Sequence, residues 1–263
     1  MSRSSARAAP PLYGQAGRRN RWAAGDVPPP TVRRSSTVRG RAAPAVTVSA
    51  TPVVSAASAT RHLYLVRHGE ATPDESGLSG NGRRQAVLLG ERLRDIPLTA
   101  IHHGPLPRAE QTARLIGEQL DHVPTHRSEP AGDYLPYLPT RDELPPESAD
   151  ETLKRLAGFP ARERDEGPAL ARAAMDLFTG PVPGDEPRHE LVVTHNFLIA
   201  WLVRAALDAP AWRWLGLNHA NAALTAIRYT PGKPAALLFQ NDMRHLPAEL
   251  RWTGFPPELR PHD

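Results

Sequence analysis

The rhythm of hydrophobic and polar positions changes near residue 61. From Arg61 onward, short apolar runs alternate with stretches in which apolar residues recur every three or four positions. The run His62-Leu63-Tyr64-Leu65-Val66 lies just before a glycine and predicts a buried strand. Residues 82–95 place Ala86, Leu89 and Leu93 on one helical face. A second strand is expected over 98–103, a helix with Pro107 near its start over 106–120, and a short third strand over 122–127. The proline-rich stretch Glu129–Pro146 predicts an ordered loop over a site. Helices follow over 149–159 and 169–178, a fourth strand over 189–196, and a buried helix over 197–207. Two closing strands, 221–230 and 235–242, are expected to form a hairpin around Pro231-Gly232. Strands alternating with helices predict an α/β fold, a three-layer sandwich whose mostly parallel central sheet is flanked by helices. No apolar run approaches the ~20 residues needed to span a bilayer, and no internal repeat is visible.

Composition divides the chain at the same place. Residues 1–60 hold nine arginines against one acid, Asp26, a balance of +8; the chain's total of +4 leaves −4 for the remainder. Rich in Ser, Ala, Pro and Arg and without periodicity, residues 1–60 are expected to be a disordered tail, and 61–263 a single folded domain. The tail's Arg- and Ser-rich, acid-poor character suits an organellar transit peptide, but its scattered prolines oppose the amphipathic helix required. A secretory signal over the apolar stretch after Arg41 is interrupted by Pro44 and Pro52. An over-extended start is the third option, so the expectation is an inert tail and a cytoplasmic protein, with export or organellar import as the alternative. With the basic charge confined to the tail, nucleic acid is not expected as a partner, and neither is a membrane. The absence of cysteine excludes disulfides and zinc–thiolate sites.

The candidate chemistry sits at strand ends. The first strand ends in Val66-Arg67-His68-Gly69-Glu70 and the fourth in Val193-Thr194-His195-Asn196. In open α/β sheets ligands bind at the carboxyl ends of strands. The second strand ends in His102-His103-Gly104 and leads to Arg108 at the start of the next helix. Three distant segments thus deliver Arg67, His68, Arg108 and His195 to one sheet edge. Guanidinium groups bind phosphate bidentately and stay charged, so this is an anion site.

These segments resemble the histidine phosphatase superfamily, also called phosphoglycerate mutase-like. The matching residues are LVRHGE (Leu65–Glu70), LSGNGRRQA (Leu78–Ala86), PLPRAEQTA (Pro105–Ala113), VVTHN (Val192–Asn196) and the later NHANAAL and NDMRHLP. The resemblance implies a metal-independent phosphatase with no cofactor. His68 would attack phosphorus to form a phosphohistidine; Arg67, Arg108 and His195 would clamp the phosphoryl oxygens, with Asn196 beside them. Gly69 would leave room for the phosphate. The general acid would come from just after the third strand, where Glu129 is preferred and Asp133 is second. Two departures stand out. Asp74 occupies the place where many relatives carry a phosphate-binding asparagine. Gly104 replaces a serine, and His103 before it is a substitute donor or substrate contact. Tyr134 is a further pocket candidate in the loop.

Other polar residues carry weaker cases. His62, His122, His189 and His262 read as surface or structural. His122 and His126 are no metal pair, because Pro124 prevents the helix such a pair needs. His219 and His245 suit packing as well as substrate contact. The expected substrate is a phosphorylated small molecule in preference to a phosphoprotein. Phosphoglycerate mutase activity and a non-catalytic phosphate-binding module are the competing functions; the oligomeric state is not legible.

Overall fold

The computed structural model describes residues 57–261. The expectations for the tail over 1–56, targeting segments included, and for His262 lie outside the described residues. The strands are β1 (Ser58–Ala59), β2 (Arg61–Arg67), β3 (Ala100–His103), β4 (Thr125–Arg127), β5 (Val182–Pro183), β6 (Arg188–Thr194), β7 (Leu224–Tyr229) and β8 (Ala236–Asp242). The α-helices are α1 (Gly80–Leu93), α2 (Pro107–Gly117), α3 (Ala149–Ala157), α4 (Ala161–Phe178) and α5 (Asn196–Ala206). Six strands form one mixed sheet in the order β4-β3-β6-β2-β7-β8. The first four of these run parallel; β7 joins antiparallel to β2 at one side, and β8 antiparallel to β7.

Alternation along the strands feeds two cores. Leu63 and Leu65 of β2 and Val192 of β6 pack with Ala171, Ala174 and Phe178 of α4 and Leu198, Ile199, Leu202 and Val203 of α5. Val66, Leu191 and Val193 point the other way, onto Ala86, Leu89 and Leu93 of α1 and Ala109, Ala113 and Ile116 of α2. The sheet is therefore covered on both faces, as the alternation of elements predicts, and the period of two in the strands assigns each residue to its layer. The β7–β8 hairpin closes through Lys233 N–H to Thr230 O at 3.1 Å, with Pro231 and Gly232 (φ +69°) at its centre. Proline followed by a glycine at positive φ is what a type II turn requires.

Three elements differ from expectation. Ser58–Ala59, assigned to the tail, pair antiparallel with Val182–Pro183. Helix α4 starts eight residues before the expected 169 and carries Pro168 inside it. The loop explains the glycine beside that proline: a Cβ on Gly167 would lie 2.2 Å from Leu135 O, so the 129–146 loop rests its backbone on α4 there. That loop is ordered by two short 3-10 turns, Glu129–Ala131 and Arg141–Glu143.

Register brings the parallel strands to a common end. Arg67 pairs with Thr194 and His103 with Val193. Just beyond them His68 N–H donates to Thr194 O at 2.9 Å, and Gly104 N–H to Val193 O at 3.0 Å. His68, Gly104 and His195 therefore leave the sheet side by side.

Candidate active site

His68 is buried, and each ring nitrogen has a partner. Nδ1 lies 2.7 Å from Gly69 O, and Nε2 accepts from Arg108 Nε at 3.1 Å. A carbonyl only accepts, so Nδ1 carries the ring proton and Nε2 presents its lone pair. Burial, then the neighbouring His195 and Arg67, holds the imidazole well below its ordinary pKa.

Arg108, also buried, joins three groups. Besides His68, its Nη2 donates to Asp133 Oδ2 at 2.8 Å and its Nη1 lies 3.3 Å from Glu75 Oε2. Asp133 Oδ2 also approaches His195 Nδ1 at 3.3 Å. Burial would raise the Asp133 carboxyl, but the facing His195 ring and the Arg108 guanidinium outweigh it and hold it below the usual carboxylate range. The rings of His68 and His195 are 5.0 Å apart at their centroids. Both nitrogens of His195 are buried and have no partner in hydrogen-bond geometry among the described residues. Arg67 Nη1 donates to His219 O at 2.8 Å and to Gly254 O at 2.6 Å. Arg67, His68, Asp133 and His195 line one cavity of about 250 Å³.

The structure thus brings Arg67, His68, Arg108, Asp133 and His195 together, and it moves the other expectations. Glu129, the preferred acid, is not at the histidine pair: its exposed carboxylate accepts from Arg127 at 3.0 Å at the outer mouth. The 3-10 turn Glu129–Ala131 turns the chain so that Asp133 faces inward instead. Gly69 is required by packing. A Cβ there would lie 2.5 Å from Gly82 O, and its N–H is already committed to Thr112 Oγ1 at 3.0 Å. Asn196 Oδ1 accepts from His219 N–H at 2.8 Å, so this amide orders the cradle wall. Asp74 is turned into its own loop, where Oδ1 accepts from Thr72 Oγ1 and Ser76 Oγ, and it brings no repulsion to the cavity. His103 is closed on Gly104 O at 2.9 Å, and Tyr134 donates to Pro130 O at 2.6 Å, so neither side chain is directed at His68. Serine in place of Gly104 would collide: a Cβ would meet Ala131 O at 2.3 Å.

Several participants were not singled out from the sequence. Thr112 donates to Arg108 O at 2.7 Å while holding Gly69 N–H, and so couples the two motifs. Asn221 donates to His68 O at 2.9 Å. His219, read from the sequence as suiting packing as well as substrate contact, is pushed down to about 3 by burial and by Arg67, and stays neutral behind Arg67 and Asn196. Glu163 faces Asp133 and Glu75, and burial followed by those two charges raises its carboxyl. Thr112 and Asn221 lie inside the quoted motifs; Glu75 and Glu163 lie in segments with no local signal. Among the described residues no group of three or more His, Cys, Asp or Glu side chains could hold a metal ion, and no helix is long and apolar enough to cross a membrane.

Comparison with known proteins decides the family. A family model described as the histidine phosphatase superfamily (branch 1) matches residues 63–242. The chain belongs to the histidine phosphatase superfamily. It is 30% identical over 196 residues to "Serine/threonine-protein phosphatase Pgam5, mitochondrial" of Caenorhabditis elegans, an alignment covering 73% of this chain and 66% of that relative. The chain therefore spans just under two thirds of that protein's length. Among solved structures, "Mycobacterial hydrolase 1" superposes with a TM-score of 0.52 at 25% identity, covering 69% of this chain and 98% of that one. "Mycobacterial hydrolase 2" gives 0.51 at 25% identity, covering 73% and 95%.

Proposed function

We propose that this enzyme hydrolyses phosphomonoesters through a phosphohistidine at His68. The observation that carries the proposal is the Arg108 Nε–His68 Nε2 hydrogen bond, because it fixes a neutral nucleophile against the cation that would hold the phosphoryl group. The buried Nε2 of His195 supports it: Nδ1 faces Asp133 Oδ2 at 3.3 Å, but Nε2 has no partner among the described residues, and a phosphoryl oxygen supplies one. Nε2 attacks phosphorus while the ester P–O bond opposite breaks. The leaving oxygen takes the bonding pair and a proton from Asp133. Water then attacks the phosphohistidine, its proton passes to Asp133, the N–P bond breaks, and inorganic phosphate leaves with His68 restored. Arg67, Arg108 and His195 stabilise the charge on the equatorial oxygens.

His195 and Arg108 hold Asp133 as a carboxylate, which at first sight suits a base better than an acid. A phosphate dianion seated on Arg108 competes for the attraction that lowers Asp133, and its own charge raises the carboxyl. A substrate monoanion brings the proton itself, since the second ionisation of a phosphomonoester lies near pH ~6. The Pgam5 relative's name supports phosphorylated substrates in general, phosphoproteins included, beside the small molecule expected from the sequence. The same name, with the Arg- and Ser-rich composition of residues 1–60, supports the organellar location over the cytoplasmic one.

The test is phosphate release from p-nitrophenyl phosphate in EDTA, with rapid-quench capture of a phosphoenzyme. Wild-type protein should label and turn over; His68→Ala should do neither. Release no faster than from the His68→Ala control would leave a phosphate-binding module in place of an enzyme.

A further inference from the structure

The cradle has two openings of opposite character. One is a cavity of about 590 Å³ edged by Glu75, Glu129, Glu163, Glu166, Arg127 and Arg162. Its charges are largely satisfied internally, Arg127 by Glu129 and Arg162 by Glu166. It shares Arg108, Asp133 and Glu163 with the cradle but does not include His68. The other opening is a groove of about 330 Å³ that shares five residues with the His68 cavity, among them Phe159, Phe197 and Pro256. Arg155, Glu258, Asn196 and Asn218 contribute polar edges, but aromatic and aliphatic side chains form most of its walls: Phe159 meets Phe197 edge-on at 5.6 Å between centroids, Phe197 meets the buried Trp214 at 5.1 Å, and Leu259 stands 55% exposed at the rim. The nucleophile's own cavity therefore continues into an aromatic groove.

We propose that this groove is the leaving-group subsite of the same active site and selects phosphomonoesters of flat aromatic alcohols. The inference rests on the phosphatase reading above and adds the class of alcohol. An aromatic ring beside Phe159 and Phe197 gains edge and offset contacts as well as burial, which a short polar alcohol does not. The chemistry agrees with the wall. As the N–P bond forms at His68, the aryl C–O–P oxygen departs with the electron pair as a phenolate, whose conjugate acid has a pKa of about 10. Such a leaving group depends little on proton donation, and the acid available, Asp133, is held as a carboxylate by Arg108 and His195. Pro256 and Leu259, which also line the groove, lie beyond residue 242, where the family match ends.

The experiment measures kcat/KM of the full-length protein for 1-naphthyl phosphate and for n-propyl phosphate, and reads how each variant changes their ratio. Leu259→Asp, on the exposed rim, and Phe159→Ala should each lower the naphthyl-to-propyl ratio about tenfold, mainly through KM for the naphthyl ester. Leu238→Ala, an exposed leucine on β8, should leave the ratio unchanged. A ratio that stays the same in Leu259→Asp and Phe159→Ala, with both esters still hydrolysed, would overturn the subsite. Failure of the wild type to hydrolyse either ester, or p-nitrophenyl phosphate, would instead overturn the phosphatase reading. A phosphotyrosyl peptide run beside the naphthyl ester separates the sources: faster peptide turnover assigns the aryl group to a protein side chain, and faster naphthyl turnover to a free metabolite.

Discussion

At the scale of single residues, chemistry follows from which nitrogen or oxygen holds a proton. His68 is kept neutral by burial first and by His195 and Arg67 next. A base whose pKa is lowered stays unprotonated below its ordinary range. The acidic limb of kcat/KM, where His68 gains a proton, should therefore fall well below pH 6.5, and a limb centred at an ordinary histidine value would contradict the assignment. Arg108→Lys removes both the Nε–H that orients His68 and the fork that would grip phosphate; kcat should drop by about 10²–10³. Asp133→Asn should cost alkyl esters about 10²-fold or more and aryl esters much less, as measured by kcat across leaving groups. The four residues from the motifs could be read from the sequence because each ends a strand or opens a helix. The acid could not. Glu129 and Asp133 are four positions apart, and the 3-10 turn between them decides which faces inward. Glu75 and Glu163 escaped for a similar reason: contacts made across the mouth, such as Glu75 with Arg108, leave no periodicity in the chain.

At the scale of elements, the strand and helix faces were legible because alternation and helical spacing are imposed by two-sided burial. What was not legible were the close approaches. Gly69 and Gly82 cross where β2 ends and α1 begins; a Cβ on Gly82 would sit 2.0 Å from Glu70 O. Gly82→Ala should therefore destabilise the protein by about 1–3 kcal/mol and displace His68, seen as a lower denaturation midpoint together with a loss of kcat. Gly104→Ser restores the hydroxyl that the family resemblance leads one to expect, yet its Cβ would strike Ala131 O. The substitution should lower stability without raising activity. Sequence resemblance alone predicts a gain, so this variant separates the two arguments.

At the scale of the whole molecule, the described fold holds several histidines that burial keeps neutral. His219 is pushed down to about 3 and His245 to about 4, with His68 lowered as well. An unfolded chain binds protons at these sites below about pH 6.5 and the folded one does not, so stability is complete above that pH and falls as pH drops toward 4. Urea midpoints measured at pH 7.5, 6 and 4.5 should decrease in that order. The paired carboxylates Asp133 and Asp242, both lowered, extend the loss to still lower pH. The charge division points to another whole-chain test. All the site residues lie within 61–263, so removing residues 1–56 should leave kcat/KM within about twofold and abolish any salt-sensitive adhesion to nucleic acid. Retained adhesion would show that the acidic catalytic portion, not the basic segment, is responsible.

The carbonyl of Gly254 on Arg67 spans 187 positions of chain, and the partner carbonyl of His219 spans 152. Contacts between such distant segments are the costliest to bring together during folding. A refolding species with its sheet paired but residues 250–256 still undocked would show native-like circular dichroism and yet lack a finished anion cradle. Recovered turnover, rather than recovered ellipticity, is then the gauge of completed refolding for this enzyme.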